Sequence, residues 1–236
     1  MRKFFCEYGL LLVFLGLQLC FWDITRSKLP DMGIVPDVPG RVAVKALSFG
    51  DEEFYFRLLA LDIQNAGDTF GRFTELYKYD FKKLYAWFTL LDSLDNESDY
   101  MPFIASYYYS QTQYVPDVRY VVDYLYQYSA DRPEKKFWWL AQAVYLAQHK
   151  LHDNELALKM AQPLEHADNA PYWVRQLPAF VHESRGEMQD ALRIIDHIQA
   201  NSKNIPDGEL KFMTYFVKER LKKLEKMQGQ EGGNKL

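Results

Sequence analysis

Five histidines stand at positions 149, 152, 166, 182 and 197. Only His149 and His152 have a spacing, i and i+3 near a helix end, that could share a metal ion. No glutamate lies between them as in a metalloprotease HExxH helix, and cysteine occurs only at Cys6 and Cys20. Histidines at a helix end also interact well with its carbonyl pole, which accounts for the pair without a metal. Asp92, Asp95, Glu97 and Asp99 form a dense acidic group. A calcium loop needs oxygens at alternate positions and a glycine at its bend, and this stretch has neither. It reads as a polar turn between helices, with Ser98 or Asp99 capping the second. Gly67-Asp68-Thr69-Phe70-Gly71-Arg72 lacks the lysine and spacing of a phosphate loop, and no nucleophile elbow occurs. The expectation is a protein that is not an enzyme, with no cofactor, no metal and no small-molecule substrate.

Tyrosine is the residue type that accumulates. Nine tyrosines lie between Tyr100 and Tyr128, three of them consecutive at Tyr107, Tyr108 and Tyr109. Successive residues on a helix turn by about 100°, so three in a row cannot all face a core. At least one is expected at the surface or against a neighbour. Tyr120, Tyr124 and Tyr128 recur at i+4 and read as one buried face.

Those residues must be positioned by helices. The chain has 236 residues, 48% hydrophobic, with Gly and Pro too sparse for a collagenous or largely disordered chain. A net charge of −4 gives no positive field for nucleic acid. Phe4 to Trp22 is apolar except for Glu7 and Gln18 and follows Met1-Arg2-Lys3. Nineteen residues rise about 28 Å as a helix, close to the hydrocarbon thickness of a bilayer. No small residues follow to mark a cleavage site, so residues 1–28 read as an uncleaved signal anchor. The charges at Arg2 and Lys3 favour a cytoplasmic N-terminus, with the remainder outside. A bacterial inner membrane, with the C-terminal domain in the periplasm, is the expected location.

Residues 29–46, rich in Pro and Gly up to Gly40, read as a linker. Beyond it the spacing predicts helices at Asp51–Ala66, Asp80–Leu94, Met101–Thr112, Asp117–Ser129, Pro133–His149, Asn154–His166, Pro171–Arg185, Glu187–Ala200 and Asp207–Lys226. Pro178 should kink or delay its helix. The final helix reads as amphipathic, with Leu210, Met213, Phe216 or Val217, and Leu221 inward and Lys211, Lys218, Lys222, Lys223 and Lys226 outward. The fold class is all-α: an N-terminal transmembrane helix, a helical domain over 47–226, and a polar tail at 227–236.

Self-comparison finds an offset of 34 residues. It aligns Trp139 with Trp173, Ala157 with Ala191, Leu158 with Leu192, Ala161 with Ile195 and Leu164 with Ile198. His152 occupies the turn position that Gly186 fills one period later. This pattern resembles the tetratricopeptide repeat family, most clearly over Pro133 to Ala200. The resemblance implies an α-solenoid of antiparallel helix pairs. Its concave face, lined by the first helix of each pair, would receive a peptide or partner helix. On it the candidates are Tyr107, Tyr108, Gln111, Gln142, Tyr145 and His149, which share two neighbouring first helices. The expected role is a membrane-anchored scaffold or adaptor for protein partners. A permanent subunit of a larger membrane complex is the other expectation.

Overall fold

The periodic segments do become helices in the computed structural model, which describes residues 2–26, 33–69, 72–167, 170–201 and 205–221. The outward lysines expected at 222, 223 and 226, the tail at 227–236, and residues 27–32 of the anchor–linker junction lie outside the described residues. In chain order the helices are α1 (Arg2–Thr25), α2 (Arg41–Leu47), α3 (Glu52–Gln64), α4 (Phe81–Asp92), α5 (Tyr100–Tyr107), α6 (Val118–Ser129), α7 (Pro133–Tyr145), α8 (Asn154–Glu165), α9 (Tyr172–Arg175), α10 (Leu177–Ser184), α11 (Met188–Asn201) and α12 (Asp207–Tyr215). The single departure among the described residues is a two-residue antiparallel ladder, pairing Asp68 with Phe73 and Thr69 with Arg72.

Within α1, Tyr8–Thr25 has a mean hydropathy of 1.6 and none of it is buried inside the protein. It is long and apolar enough to cross a membrane. At its end Arg26 pairs with Asp23 at 2.9 Å and lies over the Trp22 ring, an aromatic and a cation where interfaces favour both. The prolines after it do not leave a free tether. Val35 is buried, the Pro36 carbonyl accepts a hydrogen bond from Trp87 Nε1 at 2.9 Å, and α2 already begins at Arg41 with Val44 buried.

Local chemistry sets the helix ends. Asp51, Asp80 and Asp153 each accept a hydrogen bond from a first-turn amide, those of Phe54, Lys83 and Leu156. Pro178, which can donate no amide hydrogen, sits at the start of α10, so the helix expected over Pro171–Arg185 is broken at Gln176.

Helices of like position bury like sets. Leu84, Trp87, Phe88 and Leu91 of α4 are buried at i, i+3, i+4 and i+7. So are Val121, Tyr124, Leu125 and Tyr128 of α6, Ala157, Met160, Ala161 and Leu164 of α8, and Ala191, Ile194, Ile195 and Ile198 of α11. From α8 to α11 this register runs at the offset of 34. His152 at φ +53° and Gly186 at φ +79° both take the left-handed turn just ahead of those helices. Tyr120, expected with Tyr124 and Tyr128 in the core, is exposed instead, because the core-facing set of α6 starts at Val118 and Val121.

The helices that precede α8 and α11 keep a different offset. Trp139 is buried while Trp173 is exposed, so the two tryptophans aligned at 34 residues are not equivalent. The exposed counterpart of Trp173 is Trp138, 35 residues earlier, and Phe103 precedes Trp138 by 35 again. The extra residue is absorbed at 146–150, where α7 closes in a π-helical turn and Leu151 N–H bonds back five residues to the Leu146 carbonyl. At the end of the described chain Met213 and Phe216 are buried as expected, but Leu210 is exposed.

Candidate functional site

The tyrosine run 107–109 sends its three side chains to three places, as helical rotation requires. Tyr109 is fully buried, with its ring against Phe88 and Tyr79 and its hydroxyl donating to the Ile63 carbonyl at 2.5 Å. Burial pushes its ionisation well above the ordinary tyrosine range. Tyr79 donates in the same way to the Ala66 carbonyl. Two phenols therefore bond to carbonyls at the C-terminal end of α3, that of Ile63 accepting from the Ala66 amide as well. Burial, with Tyr108 adding to it, pushes the Tyr79 hydroxyl up to about 12. Gly67, at φ +81°, is required where it stands, since a Cβ there would overlap the Tyr79 hydroxyl. Tyr108 borders a cavity of about 240 Å³ with Gln64, Asn65, Gly67, Tyr79 and Ile104.

Tyr107 faces the opposite way. Its hydroxyl oxygen accepts hydrogen bonds from Trp138 Nε1 and Gln142 Nε2, both at 3.3 Å. Its ring lies 5.0 Å from Phe103, and the Trp138 ring lies 6.0 Å from Trp173. Trp173 in turn lines a cleft with Phe180 and Phe212, whose rings are 6.0 Å apart. A continuous aromatic strip thus crosses α5, α7, α9–α10 and α12. Its members remain open to solvent: Tyr107 is 43%, Trp138 44% and Trp173 40% exposed.

The six expected residues divide accordingly. Tyr107 and Gln142 meet on the strip. Tyr145 and His149 form a ring pair at 4.9 Å on the π-turned end of α7. Gln111 is held by Lys150, whose Nζ donates to the Ser110 carbonyl at 2.8 Å and to Gln111 Oε1 at 3.0 Å. Tyr108 belongs to the cavity beside Gly67. Sequence reasoning missed Phe103, Trp138 and Trp173, although their constant spacing of 35 residues was there to find.

The acidic turn has a structural role. Asp95 caps the turn by accepting from the Glu97 and Ser98 amides. Asp99 does not cap α5; it accepts from Trp139 Nε1 at 2.6 Å and Tyr128 Oη at 3.4 Å. Lys136 is buried, its Nζ donating to the Asn96 and Tyr128 carbonyls and lying 3.3 Å from the Tyr128 ring centroid. Asp92 accepts from the Tyr124 hydroxyl at 3.0 Å. Burial, opposed by that hydrogen bond and by Lys136, raises its carboxyl to about 7. Among the described residues, His182, Glu187 and Asp190 come close enough together to share an ion. However, the Glu187 carboxylate is already matched by Arg185 at 2.7 Å and His182 at 2.6 Å. The Arg185 guanidinium and then His182 hold it below the usual range, so the central carboxylate of the trio is already committed to side chains of the protein.

No family model, no curated protein and no solved structure matches the chain.

Proposed function

We propose that this chain is a membrane-anchored helical scaffold, not an enzyme, whose aromatic strip docks a segment of a partner protein. One observation carries the reading: Phe103, Tyr107, Trp138, Trp173 and Phe212 form a connected run of exposed rings on successive helices. Tryptophan and tyrosine dominate protein-binding hot spots because they bring large apolar area and a polar tip at small entropic cost. A tetratricopeptide-like solenoid is the arrangement we infer. The shared burial register of α8 and α11 and the matched left-handed turns at His152 and Gly186 support it. In that arrangement the strip is the surface of the first helices. The α1 helix would hold the domain at a membrane, on the periplasmic side of a bacterial inner membrane if the charges of Arg2 and Lys3 set its orientation.

A second surface favours the alternative, a permanent subunit of a membrane complex. Val42, Leu47, Phe49, Phe54, Leu58 and Leu61 are all exposed on α2, α3 and the turn between them, Phe49 to 93%. Large apolar patches on a free surface mark contacts. A photo-crosslinking amino acid placed at 138, 142 or 173, and separately at 49, 54 or 58, tests both readings in the native membrane. A discrete protein adduct from the first set, lost when Trp138 and Trp173 are both replaced by Ala outside the labelled position, supports docking on the strip. Stoichiometric, salt-resistant adducts from the second set alone would support the permanent subunit and reject the strip. Adducts from neither set would reject both.

A further inference from the structure

At its C-terminal end the aromatic strip opens into a cleft of about 290 Å³ between α9–α10 and α12, lined by Trp173, Gln176, Phe180, Gly208, Glu209 and Phe212. Three of these present rings, and ring faces attract organic cations. Glu209 supplies one carboxylate, held by Gln176 Nε2 donating to its Oε2 at 3.1 Å. Gln176 itself is fully buried, and its Oε1 has no hydrogen-bond partner. A buried amide oxygen without a donor is costly, so its retention beside a cleft needs an explanation.

As a first-turn acid, Glu209 also suits the amino end of α12. That role explains neither the three rings nor the orphan acceptor. A ligand that is cationic, apolar along its stem and a donor of N–H bonds answers all three features. Its charge meets Glu209, its stem lies against Trp173, Phe180 and Phe212, and its N–H reaches Gln176 Oε1 once that amide, closed over in the free protein, turns toward the cleft. A quaternary ammonium headgroup meets the first two and lacks the donor.

We propose that this cleft binds the side chain of an arginine or lysine presented by a partner protein. The inference rests on the docking reading above and names the chemistry at one end of the docked segment.

The full-length chain in detergent micelles, with tryptophan labelled by ¹⁵N at the indole, allows a direct test by NMR. Trp173→Phe identifies the Trp173 resonance among the five tryptophans. N-acetyl-arginine amide and N-acetyl-lysine amide should shift that resonance saturably. N-acetyl-citrulline amide, the uncharged shape analogue of arginine, should bind at least about tenfold more weakly. Glu209→Gln should weaken arginine amide by about tenfold while the other indole resonances stay in place, showing that the fold is intact. Gln176→Leu should weaken it several-fold by removing the acceptor. Equal binding of citrulline and arginine, no effect of Glu209→Gln, choline binding tighter than arginine, or no saturable shift would each overturn the proposal. Crosslinks from positions 138 and 142 that persist in such a case would leave docking on the strip standing and remove only the cleft.

Discussion

Asp92 shows how a residue's environment can reverse its apparent role. In sequence it is the first of four acids in a turn. In the fold it is the one carried inward, with the Tyr124 hydroxyl on its carboxylate and Lys136 and Asp95 as the charges that act on it. An unfolded aspartate ionises near pH 3.9, and here the folded value is raised to about 7. Between those values the folded state holds more protons than the unfolded state. Stability contributed by this group is therefore fully present below about pH 4 and is lost as pH rises through about 7. Full-length protein in detergent should melt at a higher temperature at pH 5 than at pH 8. Asp92→Asn, which stays uncharged and still accepts from Tyr124, should flatten that difference. A variant that keeps the wild-type pH slope would assign the effect to another group. Nothing in the spacing of Asp92, Asp95, Glu97 and Asp99 distinguishes the first acid from the rest. Its burial comes from Tyr124 and Lys136, on helices that follow 30 residues or more later.

At the scale of elements, the turns ahead of α8 and α11 decide the register, and both use a positive φ with different residues. His152 and Gly186 both have positive φ, which costs a side-chain-bearing residue about 1–2 kcal/mol and glycine almost nothing. Gly186→Ala should accordingly destabilise the protein by about 1 kcal/mol, and His152→Gly should be neutral or stabilising by less than that. Paired urea melts of the two variants measure both. Equal losses at the two positions would mean that the turns are not equivalent. Most helices were legible beforehand, because apolar residues at i, i+3, i+4 and i+7 leave a periodic trace that burial then follows. Helices α8 and α11 were legible even in their register: Ala157 with Ala191 and Leu164 with Ile198 match in burial as in spacing. The helices that carry Trp138 and Trp173 were not, for a local reason. The π-helical turn at 146–150 takes up one residue, shifting the offset to 35, and the adjacent pair Trp138–Trp139 allows either alignment. The site was blurred with it. An offset of 34 selects the buried Trp139, whose indole is committed to Asp99, and passes over the exposed Trp138. The separation of Tyr107 from Tyr108 depends on which distant helices lie on either side of α5, information that periodicity does not contain.

At the scale of the whole molecule, the buried residues among those described fall into two clusters. One cluster of buried residues runs from Val35 to Val181, and a second, much smaller one holds Ala179, Met188, Ala191, Ile194, Ile195, Ile198, Met213 and Phe216. The smaller cluster buries far fewer apolar residues, so its helices should open at the lowest free energy. The C-terminal unit also carries the cleft, with Trp173 and Phe180 on one side and Glu209 and Phe212 on the other. Fluctuation of α12 would therefore open that end of the strip without disturbing Tyr107, Trp138 and Gln142. Hydrogen exchange should show amides of α11 and α12 exchanging well before those of α4, α6 and α8. Phe216 packs against Phe180 at 5.3 Å and is fully buried, and its replacement by Ala removes side-chain volume worth about 3–5 kcal/mol in a packed core. In a modular molecule that loss should fall on α11 and α12 alone, lowering their protection while α4 and α6 keep theirs. A uniform fall in protection across all helices would mean that the two clusters unfold as one cooperative unit. The cleft and the Trp138 segment of the strip would then open together.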